Sequence, residues 1–244
     1  MRPFPIIAIC TCLLAQPCLA QEGTGSLTGV IRYEIAGRMI DATLQSETLK
    51  TRSFRTTSDN SGAFRFSGLP ADDYTLKLET LGSESVLVTS IHVSNGERRS
   101  LPAMDLIGAI APREAERLRL PARIRALPSS DSNRSILNGS VVATTYPKPG
   151  AARPAASAEV RLICANGKVC GKTQTDSSGL FHFTVPFSAT FLIRVRASGF
   201  YPWAWSGYRI YAGLESTYEP IDLDPLPKGF FARWFRKRPI HYIQ

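Results

Sequence analysis

Thr173–Phe183 reads "TQTDSSGLFHF", and Thr56–Phe66 reads "TTSDNSGAFRF". An Asp, two polar residues, a Gly and a Phe-x-Phe pair recur at one spacing. Laying Asp59 on Asp176 gives an offset of 117 that then holds without a gap. Gly62 meets Gly179, Phe64 and Phe66 meet Phe181 and Phe183, Tyr74 meets Phe191, and Gly96 meets Gly213. Upstream, "LTGVI" from Leu27 echoes "LNGSV" from Leu137 at an offset of 110. The difference of seven falls in the Pro- and Ala-rich stretch "YPKPGAARPAA", which reads as a loop. Two copies of about 85 residues make a domain duplication, not a solenoid whose units cannot stand alone.

Each copy reads as strands. "YTLKLET" and "FLIRVRA" alternate apolar and polar residues with period two, the pattern of half-buried strands. "SVLVTSIHV" is rich in β-branched residues and runs into Asn95-Gly96, a hairpin signal. Short strands with turn residues every 8–12 positions predict a β-sandwich in each copy. The repeated motif then has a structural reading. Asp59 and Asp176 accept backbone N–H groups two residues on, and Gly62 and Gly179 supply a positive φ. The following Phe pairs point to one face and form core.

The segments "GVI…SDNSGAFRFSGLPADDYTLKLETLG" and "GSV…TDSSGLFHFTVPFSATFLIRVRASGF" resemble the carboxypeptidase regulatory-like domain, a transthyretin-like sandwich of about seven strands. The resemblance covers roughly residues 25–107 and 136–227. Where that family usually has a Gly two residues before the strand aromatic, Asp72 and Ala189 stand here. The resemblance implies a non-catalytic accessory or binding module. The expected fold is therefore all-β, with two tandem transthyretin-like or immunoglobulin-like sandwiches joined by a basic linker.

Residues 1–20 read as a secretory signal peptide: Arg2 is followed by the apolar run Ile6–Leu14, and "CLA" precedes Gln21. The exported chain then spans a first sandwich over 21–107, a linker over 108–135, a second sandwich over 136–227 and a tail over 228–244. Of the five cysteines, three fall in the signal, leaving Cys164 and Cys170 around the turn signal Asn166-Gly167. In an oxidising compartment these predict one disulfide stapling a hairpin. A metal site needs more ligands than two. The net charge of +9 is unevenly spread: +1 over 1–20, −2 over 21–107, +3 over 108–135, +2 over 136–227 and +5 over 228–244. Nearly neutral sandwiches argue against nucleic acid as a partner. Between the copies, "PREAERLRL" is compatible with a short helix or a basic strap, and "PSSDSNR" reads as a flexible link.

No catalytic constellation is legible. His92, His182 and His241 stand apart from other ligands, and there is no H-E-x-x-H, no G-x-S-x-G and no phosphate-cradling Gly loop. Asp59, Asp72 and Asp73 fall short of the 6–8 oxygens that calcium takes. No cofactor or metal is expected. Two segments remain. "GFYPWAWSGYRIY" from Gly199 concentrates Tyr201, Trp203, Trp205 and Tyr208, either as an exposed aromatic stripe for sugar rings or as core. The tail "KGFFARWFRKRPIHYIQ" carries Phe230, Phe231, Arg233, Trp234, Phe235, Arg236, Lys237 and Arg238. It either lies on an anionic membrane or envelope surface or folds back on the second sandwich. The sequence thus points first to an exported, periplasmic, cell-envelope or extracellular module binding a glycan or envelope polymer. The alternative is a structural or protein-interaction module of the envelope, anchored by its tail.

Overall fold

The computed structural model describes residues 24–33, 39–80, 85–106, 121–144 and 152–226. The first copy contributes β1 (Gly25–Tyr33), β2 (Asp41–Ser46), β3 (Ser53–Thr57), β4 (Ala63–Leu69), β5 (Asp72–Glu79), β6 (Val86–Val93), β7 (Arg98–Ser100) and β8 (Met104–Leu106). Among the described residues between the copies stands β9 (Arg123–Ala126). The second copy opens with β10 (Ser135–Ala143), β11 (Arg153–Pro154), β12 (Glu159–Ile163) and β13 (Val169–Gln174). It continues through β14 (Leu180–Val185), β15 (Ala189–Arg196), β16 (Trp203–Ile210), β17 (Leu214–Thr217) and β18 (Ile221–Leu223).

The duplication holds strand for strand. β1 pairs β4 antiparallel and β7 and β8 parallel; β10 does the same with β14, β17 and β18. The facing sheets run β3-β2-β5-β6 and β13-β12-β15-β16. Among the described strands of the two copies, β11, which pairs the end of β10, is the one without a counterpart. Each copy closes on its own core. Leu27, Leu44, Leu76 and Val88 in the first and Leu137, Leu162, Ile193 and Val195 in the second are fully buried.

The repeated motif closes the turn into β4 and into β14. Asp59 Oδ1 accepts the N–H groups of Ser61 at 2.8 Å and Ala63 at 3.0 Å. Asp176 Oδ1 accepts those of Ser178 at 2.8 Å and Leu180 at 2.9 Å. The bonds from Ser61 and Ala63 hold the Asp59 carboxyl below the usual carboxylate range. Gly62 at φ 80° and Gly179 at φ 74° occupy the left-handed region. A Cβ on Gly62 would sit 1.9 Å from the Ile31 carbonyl oxygen, so the turn is held hard against β1. Beyond it, Phe64 meets Phe66 edge to face at 6.1 Å, and Phe181 meets Phe183 at 6.0 Å. All four rings are buried.

The hairpin after β2 or β12 is closed by different chemistry in the two copies. In the first, buried Ser46 donates to Asp72, Thr48 Oγ1 donates to the same carboxylate at 2.6 Å, and the Leu49 N–H reaches Ser46 Oγ at 2.7 Å. Burial raises the Asp72 carboxyl, but the bonds from Ser46, Thr48 and the Asp73 N–H outweigh it and hold the group low. In the second, Cys164 and Cys170 form a disulfide with a Cα–Cα distance of 5.8 Å, inside the usual range.

The segment read from composition as a linker takes structure where it is described. β9 pairs β6 in parallel, Val88 opposite Ile124 and Thr89 opposite Arg125. Its other edge pairs β17 antiparallel, from Leu214 opposite Ala126 to Thr217 opposite Arg123. One sheet therefore runs β3-β2-β5-β6-β9-β17-β10 through both sandwiches. "PSSDSNR" is not a free link either, since Ser129–Asp131 forms a 3-10 turn and Arg134 pairs with Asp131 at 2.7 Å. A possible helix over "PREAERLRL" and the signal peptide lie outside the described residues.

Gly62→Ala should lower stability by about 1–3 kcal/mol, because it forces a strained φ and drives a methyl group into the Ile31 carbonyl. Gly96→Ala is the control: φ is 75° there too, but nothing lies within 4 Å of the added methyl. Urea midpoints should fall further for Gly62→Ala than for Gly96→Ala, and equal shifts would refute the close approach to β1.

Candidate functional site

The aromatic segment forms β16, and its register decides which way the rings face. Phe191 lies opposite Tyr208 and Ile193 opposite Trp205, so β16 spends three steps where β15 spends two. The extra residue is a bulge at Ser206-Gly207, with Gly207 at φ 92°. The first copy carries the same bulge, Tyr74 opposite Ile91 and Leu76 opposite Val88, with Ser90 at φ 58°. The bulge keeps Trp203, Trp205, Tyr208 and Ile210 on one face, and that face is the core.

Trp203 and Trp205 are stacked at 6.4 Å with planes 20° apart, half-buried and packed against the second core. Trp203 meets Tyr208 edge to face at 6.4 Å, and Tyr208 meets Tyr218 at 4.8 Å. Tyr208 is only 1% exposed, so the expectation that it lines a ligand surface does not hold. Tyr201 is half-buried beside the strand, its N–H donating to the Asp224 carbonyl at 2.9 Å. At the offset of 117 Trp203 and Trp205 fall on Val86 and Val88, and their extra volume is accommodated by leaving both rings only half-buried against the core. The tail residues Phe230, Phe231, Arg233, Trp234, Phe235, Arg236, Lys237 and Arg238 lie outside the described residues.

The densest set of long-range polar contacts is at the junction of the two sandwiches. Arg125 of β9 reaches Glu215 of β17 through Nε at 2.8 Å and also through Nη2. Asn138 Nδ2 donates to the other oxygen of that carboxylate at 2.6 Å. Arg209 of β16 pairs with Asp105 of β8 at 2.8 Å and donates to Thr190 Oγ1 at 2.7 Å. The Tyr211 hydroxyl donates to the same Asp105 carboxylate at 3.2 Å. Burial, then the Asp105 charge, pushes that phenol well above its usual range, so it remains a donor. Arg99 of β7 is almost fully buried and donates to the carbonyls of His92, at 2.6 Å, and Leu127. Ser129 Oγ donates to Glu97 at 2.5 Å. A groove of about 410 Å³ runs here between Glu97–Pro102, Leu127–Ser132 and Ala212-Gly213.

None of these junction residues stands out as a site in the sequence. One signal was present: "ARIRAL", alternating charged and apolar after Pro121, is the period-two pattern of a strand. Ile124 and Ala126 are buried in the first core together with Tyr211 and Leu214 from the second copy.

One arrangement has the order of partners of a nucleophilic triad. Ser94 Oγ lies 3.2 Å from His92 Nε2, and His92 Nδ1 lies 3.0 Å from Asp73 Oδ1. The resemblance stops there. His92 and Asp73 are 59% and 55% exposed, so water would solvate any developing charge. The Ser94 N–H is taken by the Glu97 carboxylate at 2.8 Å. A negative group therefore stands beside the nucleophile, where an oxyanion would need donors. Among the described residues no group of three His, Cys, Asp or Glu side chains could hold a metal ion.

The geometry defines the class of the molecule: over the described residues, two β-sandwiches that share one sheet. No family model matches the chain, and no curated protein matches it. Among solved structures, the minor pilin of Streptococcus agalactiae is 13% identical, over 84% of this chain and 98% of that one, with a TM-score of 0.31. The shaft pilin SpaA of Lactobacillus rhamnosus GG is 8% identical, over 84% of this chain and 100% of that one, at a TM-score of 0.29. The Bacillus anthracis TIE protein is 14% identical over 84% of this chain, at a TM-score of 0.28. This chain spans only 35% of the TIE protein chain. Superpositions this loose carry no argument about function.

Two measurements check the site. Trp203→Ala should destabilise the second sandwich by about 2–3 kcal/mol, less than the roughly 3–5 of a fully buried ring because this one is half-exposed. A lowered thermal midpoint is expected, with no change in tryptophan fluorescence of the unsubstituted protein during a polysaccharide titration. The second concerns acid. Lys172 and Arg161 bond Glu159 and lower its carboxyl to about 2 from its usual 4.5. A carboxylate lowered on folding binds fewer protons folded than unfolded, so its contribution is complete above 4.5 and fades as pH falls toward 2. Glu159→Gln should flatten that limb of the stability–pH curve.

Proposed function

We propose that this protein is an exported, non-catalytic structural module of the cell envelope that works through protein–protein contacts. The observation that carries the reading is the shared sheet. β9 bonds both sandwiches through backbone ladders, and Arg125–Glu215 and Arg209–Asp105 pin their relative placement. Such a joint suits a part that must hold two domains in fixed register, since domains that meet only through a flexible link move independently. The disulfide supports an oxidising compartment. The strand arrangement of each copy supports assigning both to the carboxypeptidase regulatory-like type. The glycan reading has less support, because Tyr208 is buried and Trp203 and Trp205 pack against the second core.

The test is capture on envelope fractions with the exported chain, residues 21–244. Retention on envelope protein that is lost after protease treatment of the fraction is expected. Retention on protease-treated polysaccharide would overturn the proposal in favour of a glycan ligand. The joint itself can be tested by unfolding. The exported chain should unfold in one transition, whereas Ile124→Asp, which buries a charge in the first core, should split it into two. Two transitions in the unsubstituted protein would show that the sandwiches are independent.

A further inference from the structure

Register equates the outward faces of the two corresponding sheets, β3-β2-β5-β6 and β13-β12-β15-β16. Asp41 takes the place of Glu159, Thr43 that of Arg161, Lys77 that of Arg194 and Glu79 that of Arg196. Arg55 takes the place of Lys172. Backbone geometry agrees between the copies, and charge does not. The first face carries Asp41, Glu47, Asp73 and Glu79 against Arg55 and Lys77. Beyond β6, β9 adds Arg123 and the Arg125–Glu215 pair. The second face carries Arg161, Lys172, Arg194, Arg196 and Arg209 against Glu159, with Asp105 beside Arg209.

Each face holds like charges side by side. Arg161 stands directly opposite Lys172 on β13 and Arg194 on β15, a row of cations across three strands. On the first face Asp41 stands directly opposite Glu79. Like charges in that position destabilise a sheet. Glu159 bonds Arg161 and Lys172, each at 2.7 Å, and Lys77 bonds Glu79 at 2.6 Å, which offsets part of the repulsion. Arg194 Nε is buried with no hydrogen-bond partner among the described residues, and Arg196, two residues along the same face, is exposed. Apolar ground adjoins the charges on both faces. Ile163 and Leu192 lie half-buried opposite each other on the second, and Leu87 is 49% exposed on the first. An acidic surface laid on the cation row relieves it, and the first sandwich presents one.

The two faces also point in opposite directions. The shared sheet keeps both cores on one side: Val88, Ile124 and Leu214 in the first, and Leu137, opposite the buried Ser216, in the second. The acidic face is the far side of that sheet, and the basic face is the outside of the layer across the second core. A molecule therefore cannot join its own two faces, but two molecules can. Building on the protein–protein role proposed above, we infer that the chain associates head to tail, the β13-β12-β15-β16 face of one copy docking on the β3-β2-β5-β6 face of the next. The two patches differ, so the contact is heterologous and leaves one free face of each kind, able to add further copies.

Sedimentation of the exported chain, residues 21–244, over a concentration and salt series tests the contact. Mass should rise with concentration at low salt and return to that of the monomer at about 1 M salt, where the Debye length is about 3 Å. Two charge-reversed variants then identify the faces: Arg194→Glu with Arg196→Glu, and Asp41→Lys with Glu79→Lys. Each alone should stay monomeric. Their mixture should form a heterodimer, one intact acidic face on one intact basic face, and grow no further. Association that either variant keeps when alone would overturn the inference. The salt series needs no substitution, so it decides the matter even where a variant fails to fold. A chain that stays monomeric at low salt at every concentration, yet is retained on envelope protein, overturns the self-docking and leaves the proposed function standing. Self-association together with retention on protease-treated polysaccharide supports the docking and overturns that function.

Discussion

Four residues, Arg123 to Ala126, hold this molecule together. They form backbone ladders with a strand on each side, and each side belongs to a different sandwich. The alternation of the same four residues does two further jobs. Ile124 and Ala126 face inward and complete the first core, while Arg125 faces out and pairs with Glu215. Burying an isoleucine contributes roughly 2 kcal/mol, and the ladder spares the edges of β6 and β17 from seeking partners elsewhere. Tyr211 and Leu214, from the second copy, lie in the first core because β9 draws β17 against it.

The two copies show which parts of the sandwich are fixed by backbone geometry and which are open to different chemistry. The Asx turn, its glycine and the paired phenylalanines recur unchanged, since a Cβ at Gly62 or Gly179 would strike the carbonyl of the neighbouring strand. The bulge in β6 and β16 recurs in geometry but not in residue, Ser90 in one and Gly207 in the other. The hairpin beyond β2 or β12 needs only some tie. In one copy Ser46, Thr48 and Asp72 supply it by hydrogen bonds, in the other a disulfide does. Asp72, set where the resembling family usually has glycine, is the hub of that network.

Most of the fold was legible because its signals are local and written twice. The offset of 117 located the turns, and period-two alternation located the strands. What escaped was non-local. Composition marks residues 108–135 as a basic linker, since arginine-rich stretches between domains are usually solvated, and only alternation in "ARIRAL" dissents. The aromatic segment stayed open between stripe and core for a related reason. Spacing alone places Tyr208 on the opposite face from Trp203 and Trp205, but one inserted residue at Ser206-Gly207 restores it to their side and into the core. Pairings such as Arg209 with Asp105, more than a hundred residues apart, leave no trace in spacing.

The placement of β9 also bears on how such a protein could have grown. A strand that follows one sandwich in sequence, yet pairs with strands of both, makes each unit incomplete at its boundary. A unit cut out at residue 107 would lose the strand that covers β6, and one begun at residue 136 would lose the strand that covers β17. The first sandwich is therefore closed at its β6 edge only when β9 stays with it. Recombination that respected the compositional border would deliver two sticky fragments, whereas a crossover point beyond Leu127 would carry the first sandwich away with its edge already closed.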